Sequence, residues 1–542
     1  MVDPAQRVTG FTPDGCWLSS LVCVAGFLVL CCSCFEPRWE TNDDVAMSMV
    51  AHGYGLSTIA SPRLIFSNVL WGYFVRALPT VGGVPGYSVA TLITLLAAGS
   101  GILYFLRKMG VGFAAATVVV AAILLKPTVF PQFTLNAGLL AVCAVLGTWA
   151  YVREGGVGSL MASAVFAFVS FLIRWQELVL VLCIALPWVT WRRERMGANT
   201  VAVLIGFVVA IFSAAVIDAM NYQGVEWERF HELNAARAPF TDFGVGEQLK
   251  QRPEILRKFH YTTNDIDLIS SFFFVDPRIA DPRQLKVMLS EFGAVPFLRG
   301  NMASALQSVQ SLFDPELLPF FVGSTLLFFL RPTRALAISW LILFGVLLLA
   351  GLAGRGGVLR IYLPMLYLLL AGGVVQIATR SSHLAGLRGA GLVGARFVVP
   401  AFVLVASLML VAPAAKQSRL GIQQAQSDYK NLPSDLIFAW GAALPIELIF
   451  PPLVRQVHAR TLRMYPFGVF TYAPFSVAVA EEAKGPGFQE RLFSEKGLLM
   501  VASGPNIELL RHWCQQHHGL EMRESLAYSS PTITVRQVWC GK

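Results

Sequence analysis

Charge is what this chain has least of. Asp, Glu, Lys and Arg make up 14% of its 542 residues, where a soluble protein carries roughly a quarter. An ordinary water-soluble enzyme is thereby excluded. Nucleotide motifs are missing too: there is no Walker loop, and the strand-like "DLIFAWG" runs into "GAALP", too poor in glycine for a dinucleotide fingerprint. No G-x-S-x-G elbow and no zinc-protease helix occurs. Five of the nine cysteines, Cys16, Cys23, Cys31, Cys32 and Cys34, lie in or beside the first apolar run. Their "CCSC" has no nearby histidine or second spaced pair, so they read as buried thiols rather than zinc ligands.

What the chain has is apolar sequence, 55% hydrophobic with a mean hydropathy of +0.60. Its runs approach the ~20 residues that cross ~30 Å of hydrocarbon. Eleven spans are predicted, at 15–35, 86–106, 111–126, 133–152, 157–173, 176–192, 199–219, 315–330, 334–354, 358–378 and 393–413. The fold class is a polytopic α-helical membrane protein. The first run has no short basic leader and no A-x-A site before the acidic loop, so it reads as a retained helix. Residues 61–79, interrupted by Arg63, Asn68 and Arg76, read as lying along the interface.

The net charge of +9 does not point to nucleic acid, because the basic residues stand in short clusters between apolar runs. With the N-terminus cytoplasmic, the inside connectors hold eleven Lys or Arg (Arg107, Lys108, Arg153, Arg192, Arg193, Arg195, Arg331, Arg334, Arg380, Arg388 and Arg396). The short outside connectors hold four: Lys126, Arg174, Arg355 and Arg360. The reading is therefore a multi-pass protein of the inner (plasma) membrane, its transmembrane domain covering 1–414. Outer loops at 36–85 and 220–314 and a tail at 415–542 lie outside the cytoplasm. The tail reads as a small α/β domain: strands in "DLIFAWG", "GLLMVAS" and "TITVRQVWC", and a helix in "NIELLRHWCQQHHG" capped by Asn506. Cys514 and Cys540 can pair there in an oxidising compartment.

The first outer loop carries "FEPRWETNDDVAMSMVAHGYG" (35–55). Asp43 and Asp44 open a helix that Thr41 or Asn42 can cap, where acids complement the dipole. Alternatively, one carboxylate at the rim of a water-filled cavity takes a proton from an attacking hydroxyl. A neighbouring carboxylate then orients the acceptor or binds a divalent cation such as Mg or Mn. Asp44, abutting the helix, is the first choice for base.

A retained first helix, an acidic first outer loop, about eleven spans and an outer C-terminal domain together resemble the GT-C superfamily of membrane glycosyltransferases. That family includes polyprenyl-phosphate-sugar-dependent mannosyl-, arabinosyl- and aminoarabinosyltransferases and oligosaccharyltransferase catalytic subunits. "NDD" at 42–44 matches in type and place the family's acidic first-loop motif; the rest of the likeness is architectural, over roughly 1–414. The resemblance implies a polyprenyl-phosphate sugar donor and a glycan, lipid or protein acceptor. It also implies an Asp base and inversion at the anomeric carbon.

A leaving phosphate needs fixed positive charge near the membrane surface. "GRGGVLRIYLP" offers Arg360 first and Arg355 second; "LIRWQE" adds Arg174 beside Glu177, and "LKPTVFPQF" adds Lys126. The bland reading of each cation is a snorkelling interfacial side chain. Arg63, Asn234, Arg237 and Glu177 are further acceptor or donor contacts. Glu228, His231 and Glu232 in "WERFHELNAAR" lack zinc-protease spacing and read as a solvated helix. Two other classes compete. An envelope-polysaccharide polymerase or ligase also uses outer arginines but lacks the acidic first loop. A secondary transporter calls for mid-membrane charges in two related halves, which are not evident.

Overall fold

The computed structural model describes residues 15–188, 197–293, 302–381, 387–454 and 462–541. The basic cluster Arg192, Arg193 and Arg195 lies outside them. The chain begins with α1 (Gly15–Cys34), α2 (Asn42–His52) and α3 (Val69–Ala77), then α4 (Gly86–Lys108), α5 (Phe113–Val129) and α6 (Phe133–Glu154). α7 (Val157–Ala185), α8 (Ala198–Asn221) and α9 (Val225–Thr241) follow. After several short helices come α10 (Leu318–Leu330), α11 (Arg334–Leu352), α12 (Leu359–Ser381) and α13 (Leu387–Lys430).

By length and apolarity, eight of the described helices can cross a membrane, nine if α10 is taken with Met302–Phe313, bent from it by 83°. The shorter apolar α5 is a tenth. The eleventh is hidden in α7. Its backbone is extended at Arg174, φ −160° and ψ 94°, and there the helix turns back. On the rising limb Ser163 meets Thr148 at 2.6 Å. After the falling limb, Trp188 packs on Trp149 at 5.2 Å between ring centroids. Both limbs thus reach the same end of α6, as the predicted spans 157–173 and 176–192 require. α3, with nine residues, is far too short to cross at 1.5 Å per residue.

The bundle's two ends differ as the charge pattern requires. At one end Arg107 of α4 donates to the Cys16 carbonyl of α1 at 3.0 Å, and Lys108 donates to Ser159 at 2.7 Å. The other end carries the connections at 36–85 and 220–314 and the tail. The tail starts on a helix, since α13 continues unbroken past 415 to Lys430. Its sheet has strands β1 (Ile437–Trp440), β2 (Met464–Phe467), β3 (Leu498–Val501), β4 (Glu521–Ser529) and β5 (Thr534–Gly541) in the order β2-β1-β3-β5-β4. β2, β1 and β3 are parallel; β5 runs antiparallel to β3 and β4. The predicted tail helix is α14 (Gly504–His518), but Ser503 caps it rather than Asn506. Cys514 and Cys540 form a disulfide between α14 and β5.

The segment predicted as a long loop packs into the tail's own core. Phe273 meets Trp440 at 5.4 Å, Trp513 at 5.5 Å and Phe467 at 5.9 Å. Trp513 Nε1 donates to buried Asp276 at 2.9 Å. The first loop is tied in as well: Met464 N–H donates to the Gly55 carbonyl at 3.1 Å and Val477 N–H to the Leu56 carbonyl at 2.9 Å. Gly53 makes that turn possible at φ 69°, where a Cβ would stand 2.6 Å from Ala60 N.

Candidate active site

Adjacent residues at the start of α2 have different surroundings. Asp44 is 1% exposed and turns into the bundle. Its carboxylate accepts from Phe133 N–H at 3.0 Å, Tyr87 O–H at 3.0 Å and Thr41 O–H at 3.2 Å. Phe133 is the first residue of α6, so Asp44 satisfies an orphan donor of another helix and ties α2 to α4 and α6. Thr41 occupies the N-cap position of α2 but makes no side-chain cap bond there. Burial, reinforced by the neighbouring Asp43 charge, pushes the Asp44 carboxyl up to about 8 against the pull of its hydrogen bonds. Every donor around Asp44 is intramolecular, and together they tie α2 to α4 and α6.

The Asp43 side chain is 30% exposed and stands 4.0 Å from Arg360. Burial raises its carboxyl above the ordinary range, Arg360 and Arg174 pull it back, and Asp242 adds to the rise. Asn42 and Asp43 line a cavity of about 250 Å³ whose roof is the tail: Gly441 and Ala442 after β1, and Gly468, Val469 and Phe470 after β2. Those loops follow the carboxyl ends of parallel strands, where α/β sheets commonly place ligands. Phe272, from the 220–314 connection, also lines the cavity.

Three predicted cations gather here. Arg360, in the first turn of α12, pairs with Asp43. Arg355 stands 3.7 Å from Asp242 and 4.6 Å over the Phe243 ring. Arg174, at the α7 turn, lies 5.3 Å over the Phe133 ring and acts through space on Asp43. It also lines a groove of about 440 Å³ between residues 65–68, α7 and α8, beside Asn68 and Asp218. Glu177 is 2% exposed, and its Oε2 has no hydrogen-bond partner among the described residues. Arg237, 5% exposed, bonds Thr241 at 2.7 Å and the Asn234 side chain, and stands 3.7 Å from Asp242.

The remaining candidates are committed elsewhere. Lys126 is held between Glu316 and, at 3.3 Å, Glu40. Arg63 donates to the Asn221 carbonyl at 2.6 Å and lies over Trp227. Of the two carboxylates named for a divalent cation, Asp44 already meets three donors and Asp43 stands beside Arg360. Among the described residues no group of three or more His, Cys, Asp or Glu is arranged for a metal, Glu228, His231 and Glu232 included. Sequence reasoning missed Asp242. Nothing in "FTDFG" sets that carboxylate apart, because its position comes only from tertiary packing.

Among solved structures, two crystal structures of ArnT from Cupriavidus metallidurans align with this chain. The apo state does so at 12% identity and a TM-score of 0.39. The form bound to undecaprenyl phosphate does so at 14% identity and a TM-score of 0.38. Each alignment covers 97% of this chain and 98% of the other. No family model matches the chain, and neither does any curated protein.

Proposed function

We propose that this protein is a membrane glycosyltransferase of the GT-C type. It moves a sugar from a polyprenyl-phosphate donor to an acceptor hydroxyl at the tail-bearing end of the bundle. One observation carries the reading: Asp43 alone of the "NDD" acids faces a cavity, with arginines from α7 and α12 around it. The acceptor oxygen attacks the anomeric carbon while its proton passes to Asp43. The bond from that carbon to the phosphate oxygen breaks, and the phosphate leaves with the electron pair. Arg360, Arg355 and Arg174 meet the charge that develops on it. A single displacement needs one base and no enzyme nucleophile, and it inverts the anomeric centre. A carboxyl raised by burial suits the base, because its proton affinity moves toward the working pH.

The apolar cavity roof, with Phe272, Phe467 and Phe470, supports acceptor binding between bundle and tail. Charge bias supports a cytoplasmic N-terminus and an outer tail in the inner membrane, and the Cys514–Cys540 disulfide agrees with an oxidising compartment. The test is to reconstitute the full chain in vesicles with a panel of polyprenyl-phosphate sugars and measure release of polyprenyl phosphate. Release that disappears in Asp43→Asn supports the reading. No release with any donor, or full release in a stably inserted Asp43→Asn, overturns it.

A further inference from the structure

Asp242 has no part in the displacement just described, yet it sits among the groups that perform it. It ends α9, and its Oδ2 stands 3.7 Å from both Arg237 and Arg355. Neither separation is a hydrogen bond; both are loose ion pairs. Arg237 is anchored by Thr241 and Asn234. Arg355 is differently placed: it rides a connector whose Gly354 and Gly357 both take φ 78°. Asp242 is the carboxylate that faces it. A phosphate offers an arginine short bidentate bonds of ~2.8 Å, which a 3.7 Å contact cannot match.

Resting on the glycosyltransferase reading, we infer that Asp242 is a positioning residue, an anionic placeholder that keeps Arg355 beside the cavity and yields it to the donor phosphate. The same carboxylate takes Arg355 back once transfer is complete and so hastens release of the polyprenyl phosphate. Asp242 therefore weakens ground-state binding of the lipid phosphate and speeds turnover.

The test measures binding of a polyprenyl phosphate to the full-length protein in zwitterionic nanodiscs at fixed ionic strength. Asp242→Asn binds it about tenfold more tightly, because Arg355 no longer has to leave a carboxylate to reach the phosphate. It also lowers KM and kcat together, while Asp242→Glu stays near wild type. In an Arg355→Ala background, Asp242→Asn no longer tightens binding. A merely structural aspartate would weaken binding when replaced, not strengthen it. Unchanged or weaker binding in Asp242→Asn overturns the inference, and so does tightening that persists without Arg355. Wild-type protein that binds no polyprenyl phosphate overturns the glycosyltransferase reading with it.

Discussion

Two clusters of opposite charges occupy the same end of the bundle, and they differ in which sign is in excess. In the first, one ammonium, Lys126, lies between two carboxylates, Glu40 and Glu316. Lys126 is 9% exposed, so it has given up most of its hydration and needs those partners. In the second, Arg174, Arg237, Arg355 and Arg360 face Asp43, Asp242 and Glu177, and the pairs are loose at 3.7–4.0 Å. An arriving phosphate finds only competition at the first cluster and spare positive charge at the second. Both clusters look alike in sequence, as a basic residue at an outer helix end. Position made them candidates; the local balance of charge separates them.

The sharpest way to break this contrast is at Asp43. Asp43→Asn should cut turnover about a thousandfold, close to 4 kcal/mol of barrier, while polyprenyl phosphate still binds. In wild type, turnover should fall as pH drops through the raised pKa of this base. A mutant with normal turnover would move the chemistry elsewhere. Next in size is Arg360→Gln. Loss of one group that meets the leaving charge should cost about a hundredfold in kcat, and adding salt should not restore it.

Lys126→Met probes the other cluster and should act on stability, not chemistry. Removing the ammonium leaves Glu40 and Glu316 facing each other, at about 1–2 kcal/mol once their partial exposure is allowed for. A lower melting temperature with KM and kcat nearly unchanged is the expected result. A raised KM for the lipid donor would instead put Lys126 in the phosphate site and erase the distinction between the clusters.

Much of this arrangement was legible beforehand. Every predicted span has a helical counterpart, and even the reversal at Arg174 was readable, because a lone cation between two apolar runs marks a helix end. Strands β1, β3 and β5 were visible as apolar or alternating runs. β2 and β4 were not, and both are edge strands: β2 contains Pro466, tolerated only at an edge, and β4 is polar on most of its length. The cap of α14 was misplaced because Ser503 precedes Gly504 and Pro505, a start that hides behind the more obvious Asn506. The division of labour in "NDD" was the least legible feature. Which carboxylate turns inward depends on Tyr87 and Phe133, far along the chain, and adjacent residues on a helix carry no mark of the face they will show.

That division yields the smallest expected effect on turnover and a distinct effect on stability. Asp44 holds its proton up to about pH 8 in the folded protein, whereas an unfolded aspartate loses it near 3.9. Between those values the native state binds a proton that the unfolded chain releases. Its contribution to stability is thus full at low pH and is lost as pH rises from about 4 to about 8. Asn at this position keeps a carbonyl oxygen for Phe133 N–H and Tyr87 O–H, turns an amide toward Thr41, and carries no proton to lose. Asp44→Asn should therefore leave kcat close to wild type and flatten the decline of melting temperature between pH 5 and pH 8.5. Parallel melting curves for the two proteins would remove Asp44 from the titration. A collapse of kcat in Asp44→Asn at unchanged stability would return it to the chemistry, beside Asp43.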